Sequence, residues 1–106
     1  MAKVIFILQR RGDQTREQCL EYWSSDHHTS IVSAIPGLTR WMQNHVIAAP
    51  GEAVCDRVGE LWFESNDAMD KALKSPEMAA AVKDAKNFLD MDKTGFIIVE
   101  EKAIIG

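Results

Sequence analysis

The sequence predicts a single α+β domain, a four-stranded antiparallel sheet with its helices on one face and the element order βαββαβ. Two apolar runs near the ends, Val4 to Leu8 and Phe96 to Val99, read as strands. Between them, helix signals at Thr15 and Ser65 flank an extended pair broken by Pro50-Gly51. A length of 106 residues allows one core and excludes a second independent domain, so residues 1–106 form one unit. At this size only about two-thirds of the unfolded surface is buried, so a self-associating partner would relieve a thin core.

Lys3 to Arg10 is a β-branched and aromatic run ended by Gly12-Asp13. Thr15 with Gln18 matches a capping box, and the helix it starts is expected to continue until Pro36-Gly37 stops it. Leu38 to Ala48 and Arg57 to Glu64 are extended and pair as an antiparallel hairpin. Ser65 or Asn66 caps a helix carrying Ala68, Met69, Ala72 and Leu73. Ser75-Pro76 gives a second cap and restarts the helix through Met78, Val82, Ala85 and Leu89. Gly95 to Glu101 closes the order as the last strand.

This arrangement is the ferredoxin-like one. The first and last strands, apolar on both sides, are expected at the centre of the sheet. Helices cover one face only, so a homodimer packing sheet against sheet is expected to cover the other.

Net charge is -4, with five basic and four acidic residues before Pro50 and seven basic and twelve acidic after it. That balance offers no basic patch for nucleic acid or anionic membrane. The run Val4 to Leu8 is too short to span a bilayer. With no signal peptide in view, Cys19 and Cys55 read as reduced thiols and the expected location is cytoplasmic.

On one continuous first helix, at about 100° per residue, Leu20, Trp23, His27, Ile31 and Ala34 form a stripe, with His27 at its middle. His28 then falls about 100° away, at the flank or in solvent, so the pair is not expected to bind a metal together. His27 could be a core histidine hydrogen-bonded to a carbonyl or water. It could equally perform acid–base chemistry on an enol, lactone or hydroxyl beside the sheet. Strand alternation places Gly59, Leu61 and Phe63 toward the helices, with Val58, Glu60 and Trp62 outward. Trp41, Gln43 and His45 share one face of the preceding strand. A cavity bounded by His27, Trp23, Trp41, Leu61 and His45 follows, suited to a small hydrophobic ligand.

The segment Tyr22-Trp23-Ser24-Ser25-Asp26-His27, with Ile35-Pro36-Gly37-Leu38 and Gln43-Asn44, resembles the EthD family. Gly59-Glu60-Leu61-Trp62-Phe63, Ser65, Ser75-Pro76 and Phe96 to Glu100 extend that resemblance over nearly the whole chain. It implies a dimeric α/β-barrel of two ferredoxin-like protomers. Relatives include methylmuconolactone isomerases and some polyketide dehydratases, so small cyclic or aromatic molecules are the implied ligands, without a cofactor or metal. His27 matches the family histidine and is the implied catalytic residue. Trp41 stands where those isomerases have a tyrosine, and Leu61 where they have a cysteine. Losing both groups speaks against the same isomerisation.

The expected function is therefore binding of a small hydrophobic or oxygenated molecule, with His27 acid–base chemistry, in oxidative catabolism or polyketide-type metabolism. A non-catalytic carrier for an oxygenase pathway and a haem-binding barrel are the alternatives.

Overall fold

In a computed structural model of the chain, residues 2–50 and 57–106 are described. The elements run β1 (Ala2–Leu8), α1 (Arg16–Trp23), α2 (Asp26–Ser33), β2 (Leu38–His45), β3 (Arg57–Phe63), α3 (Asn66–Leu73), α4 (Pro76–Ala85) and β4 (Gly95–Val99). The strands form one antiparallel sheet in the order β2-β3-β1-β4. This is the predicted α+β topology, with one correction. β1 is central, but β3 is its central companion, and β4 lies at the edge. Apolarity on both faces of β4 therefore reports exposure: Phe96 and Ile98 face the helix side beside Phe6 and Val4, yet each is 54% exposed.

The core lies between the inner face of the sheet and the helices. Ala2, Val4, Leu61 and Phe63 meet Val32, Ile35, Met69, Ala72, Met78 and Ala81. A second cluster around Leu8 gathers Cys19, Trp23, Phe88 and Leu89. Each helix starts at its own cap. Thr15 and Gln18 close the reciprocal box, and Ser65 and Ser75 accept from Ala68 and Met78 N–H groups. At Gly37, which ends the helical segment, φ is +76°, a conformation glycine adopts without the penalty of a Cβ.

The expected single helix from Thr15 to Pro36 is in fact two. Ser24 Oγ donates to Leu20 O at 2.7 Å, and Ser25 Oγ donates to Tyr22 O at 2.6 Å. These side chains take up carbonyls that a continuing helix would use. Ser25 turns extended and caps α2 by accepting from the His28 N–H. The break shifts the inward stripe by one position after Trp23. His28, Val32 and Ile35 are buried where His27, Ile31 and Ala34 were expected.

The outer face of the sheet carries Ile5, Ile7, Val58, Met42 and Ile97, with Ile97 half exposed. Trp62 on this face is covered by its neighbours. Lys3 and Arg40 lie over its ring at 4.5 and 4.7 Å, and its indole N–H donates to Glu101. Lys3 also pairs with Glu60. No helix among the described residues is long and apolar enough to cross a membrane.

Candidate active site

Between the sheet and the helices lies a cavity of about 520 Å³. Trp41, Leu61 and Phe6 rise from the sheet, Trp23 and His28 come from α1 and α2, and Phe88 follows α4. Its exposed lining residues are Val82, Met91, Gly95 and Phe96, which mark the open side between α4 and the edge strand β4. Gly59 on the floor lies under the Trp23 indole: a Cβ there would be in ordinary contact with Trp23 Cζ2 at 3.5 Å.

Of the residues expected to bound the site, Trp23, Trp41 and Leu61 line the cavity. His27 does not. The break at Ser24-Ser25 turns its ring outward, leaving the side chain 68% exposed. His45 also stays off the cavity. Its exposed ring lies against Trp23, with centroids 5.0 Å apart, behind the wall. Gln43, on the same strand face, donates from Nε2 to Trp23 O at 2.8 Å and fixes the end of α1.

His28 occupies the place expected for His27. It is 4% exposed, and its ring is packed edge-on against Phe88 and Trp41, with centroids at 5.0 and 6.3 Å. Its Nδ1 lies 2.8 Å from Asp84 Oδ2. Asp84, on α4, is 7% exposed and takes a Tyr22 hydroxyl proton on Oδ1 at 2.7 Å. His27 Nε2 approaches the same oxygen at 3.2 Å, and Asn87 Nδ2 donates to it at 3.3 Å. One carboxylate thus joins both histidines, by different oxygens.

The electrostatics assign the protons. Burial opposes ionisation of Asp84, but hydrogen bonds from Tyr22 and His28 outweigh it and hold the carboxyl below its ordinary value. An ionised carboxylate only accepts, so His28 Nδ1 carries the proton and Nε2 is left with its lone pair for the cavity the ring lines. Burial pushes His28 below the ordinary histidine value, against the pull of Asp84. Burial also raises Tyr22, and the Asp84 hydrogen bond adds to this, so the phenol remains a donor. The result is a neutral imidazole oriented by a carboxylate, the arrangement a general base requires.

Asp84 is the residue of this site that helical periodicity passed over. It follows Met78 and Ala81 on the buried side of α4, where a carboxylate needs partners. The sequence signal was the acidic residue on that stripe. Cys19 is also buried, donating to Phe88 O and accepting from the fully buried Arg57. Cys55 lies outside the described residues, as does the turn at Gly51. No group of three or more His, Cys, Asp or Glu among the described residues could hold a metal ion.

A βαββαβ sheet with helices on one face, enclosing an apolar cavity with a histidine–carboxylate pair in its wall, defines a ferredoxin-like α+β domain. The chain belongs to the EthD domain family, which it matches over residues 11–92. No match was found among curated proteins. Among solved structures it is similar to an EthD family protein from Bacillus halodurans, with a TM-score of 0.79 and 23% identity over 96% of this chain and 99% of that one. It is also similar to a dimeric ferredoxin-like protein from Bacteroides fragilis, with a TM-score of 0.68 and 19% identity over 94% and 95%. SnoaB, a cofactor-independent oxygenase from Streptomyces nogalater, matches with a TM-score of 0.66 and 10% identity over 98% and 95%. At these identities the likeness concerns the fold.

Proposed function

We propose that the protein binds a small, largely hydrophobic, oxygen-bearing molecule in this cavity and moves a proton on it through His28. The observation that carries the reading is the 2.8 Å contact between His28 Nδ1 and Asp84 Oδ2 in the wall of an apolar cavity. Nε2 accepts a proton from an acidic O–H or from a C–H beside a carbonyl. The imidazolium that forms is held by Asp84, whose other oxygen is braced by Tyr22. The catalytic role first placed on His27 passes to His28. His27, facing solvent on the far side of Asp84, competes for the carboxylate and tunes the base.

The outer face, with Ile5, Ile7, Met42 and Ile97, supports a homodimer packed sheet against sheet, and the Bacteroides neighbour of the same fold is dimeric. The proposed setting is oxidative catabolism of ethers or aromatics, or polyketide-type metabolism; the fold likeness to a cofactor-independent oxygenase supports only its oxidative character. Haem is a poor occupant: no charged side chain among the described residues lines the cavity, so two propionates would lack a cation.

The test uses 2-tetralone, an uncharged ketone of suitable size with acidic C–H bonds. In deuterated buffer the wild type should accelerate exchange at the carbons beside the carbonyl. His28→Asn should abolish the acceleration while leaving affinity within about threefold. Binding without acceleration by the wild type would instead establish the carrier reading.

A further inference from the structure

Besides His28 and the two indoles, a single polar side chain lines the cavity among the described residues: Thr94, immediately before β4. Its Oγ1 accepts the Gln9 backbone N–H at 3.3 Å, which ties the hydroxyl to the end of β1. A threonine hydroxyl has one proton to give as well as lone pairs to receive. Among the described residues nothing accepts that proton, and the neighbouring lining side chains Met91, Phe96 and Leu89 offer no oxygen. A half-buried hydroxyl fixed at its oxygen by the backbone, whose hydrogen no described residue takes up, is suited to give it to an acceptor brought by the ligand.

The charge of the lining restricts the ligand further. With no cation among the described lining residues and the Asp84 carboxylate behind His28, a carboxylate or phosphate group entering the cavity would lose its hydration without a counter-ion. We propose that Thr94 is a ligand-binding residue, donating its hydroxyl proton to a carbonyl oxygen, and that the natural ligand is an uncharged ketone whose acidic proton lies at His28. This rests on the reading of His28 as the base. It adds a second anchor, so that His28 and Thr94 together read two groups of one molecule. When the proton leaves for His28 Nε2, the electron pair it leaves behind is delocalised onto the carbonyl oxygen, where the Thr94 donor stabilises it.

Three probes of one shape test this by calorimetry: 4-hydroxybenzophenone, 4-hydroxydiphenylmethane, which replaces the carbonyl by CH₂, and 4-benzoylbenzoate, which replaces the phenol by a carboxylate. The wild type should bind the hydroxy ketone about fivefold tighter than its methylene analogue, the worth of one neutral hydrogen bond. Thr94→Val should erase that preference by weakening the ketone alone, and Thr94→Ser should keep it. The carboxylate should bind at least about tenfold more weakly than the hydroxy ketone. Equal wild-type binding of ketone and methylene compound, or a preference unchanged in Thr94→Val, would overturn the Thr94 assignment. Equal binding of the carboxylate would overturn the uncharged ligand. His28→Asn should weaken both phenols alike and leave their ratio intact. If it leaves phenol affinity unchanged, the base reading fails while the Thr94 assignment stands.

Discussion

Replacing Asp84 by asparagine, a change of one atom, should unmake the site without changing its shape. The carboxylate takes two short hydrogen bonds, from Tyr22 at 2.7 Å and His28 at 2.8 Å, and a longer one from Asn87, with His27 Nε2 standing 3.2 Å away. An amide keeps one oxygen and turns an NH₂ toward the other partner, so one of the short bonds must reverse its direction and both lose their charge. A hydrogen bond to a charged group is worth about 1.5–3 kcal/mol, and an unsatisfied buried partner adds to the loss. A cost of about 2–3 kcal/mol is expected, or about 10–20 °C in Tm for a domain near 100 residues. Urea unfolding at fixed protein concentration measures it, so that any dimer contributes equally to both proteins. The nitrogen-15 shifts of His28 should report the tautomer moving from Nδ1–H toward Nε2–H, and ketone exchange should fall with it. A loss below about 0.5 kcal/mol with an unchanged tautomer would refute the assignment of Asp84 as the group that orients the base. Asn87→Ala, removing an exposed and longer contact, is the control and should stay within about 0.5 kcal/mol.

Stability should depend on pH in two stages. His28 and His45 sit below the ordinary histidine value of 6.5, His28 chiefly through burial and His45 through partial desolvation with Arg57 and Arg16 nearby, so the unfolded chain binds protons the folded one refuses. Their contribution is complete above about pH 6.5 and is lost as pH falls through the folded values; His28→Phe should flatten most of that stage, and a flat wild-type profile between about pH 5 and 7 would contradict it. Asp84 and Glu60 lie below 3.8 and 4.5, Glu60 because Lys3 pairs with it, and their contribution is lost only at lower pH. Ser25→Ala removes the cap of α2 and should cost about 1 kcal/mol in urea unfolding while loosening the His28 ring in NMR; an unperturbed ring would mean that the cap does not position it. Ile97→Asp places a charge on the outer sheet face and should convert a sedimenting dimer to monomer, whereas a wild type already monomeric at micromolar concentration would refute the sheet-to-sheet assembly.

Most of the fold was written in local signals. The capping box at Thr15, the proline after Ser75 and the glycine after Pro36 each marked a boundary that the backbone respects. Strand alternation placed Gly59, Leu61, Trp41 and Gln43 on the inner face and Trp62, Met42 and Glu60 on the outer one. The position of β4 was not legible, because an apolar strand reads alike whether neighbours or a partner cover it. The histidine went astray for a traceable reason. Ser25-Asp26 carries the same kind of start signal as Ser75-Pro76-Glu77, a capping serine with an acid in the first turn, but without proline to announce it. A helix wheel drawn through that break is wrong by one residue beyond it. Asp84 and Tyr22 meet across 62 positions of sequence, a contact that only the packing of α2 against α4, which brings the end of α1 alongside, creates.

The break between α1 and α2 also gives the site a field that one long helix would lack. His28 is the third residue of α2, among backbone N–H groups whose dipoles present partial positive charge. That end of a helix repels an imidazolium, while Asp84 welcomes one. The dipole thus adds to burial in keeping the ring neutral, against the pull of Asp84. Lengthening α1 through Ser24 and Ser25 with helix-forming residues would remove the dipole, rotate the ring away from Asp84 and bring the solvent-facing histidine inward. Two serines therefore decide which histidine faces the cavity and which faces solvent.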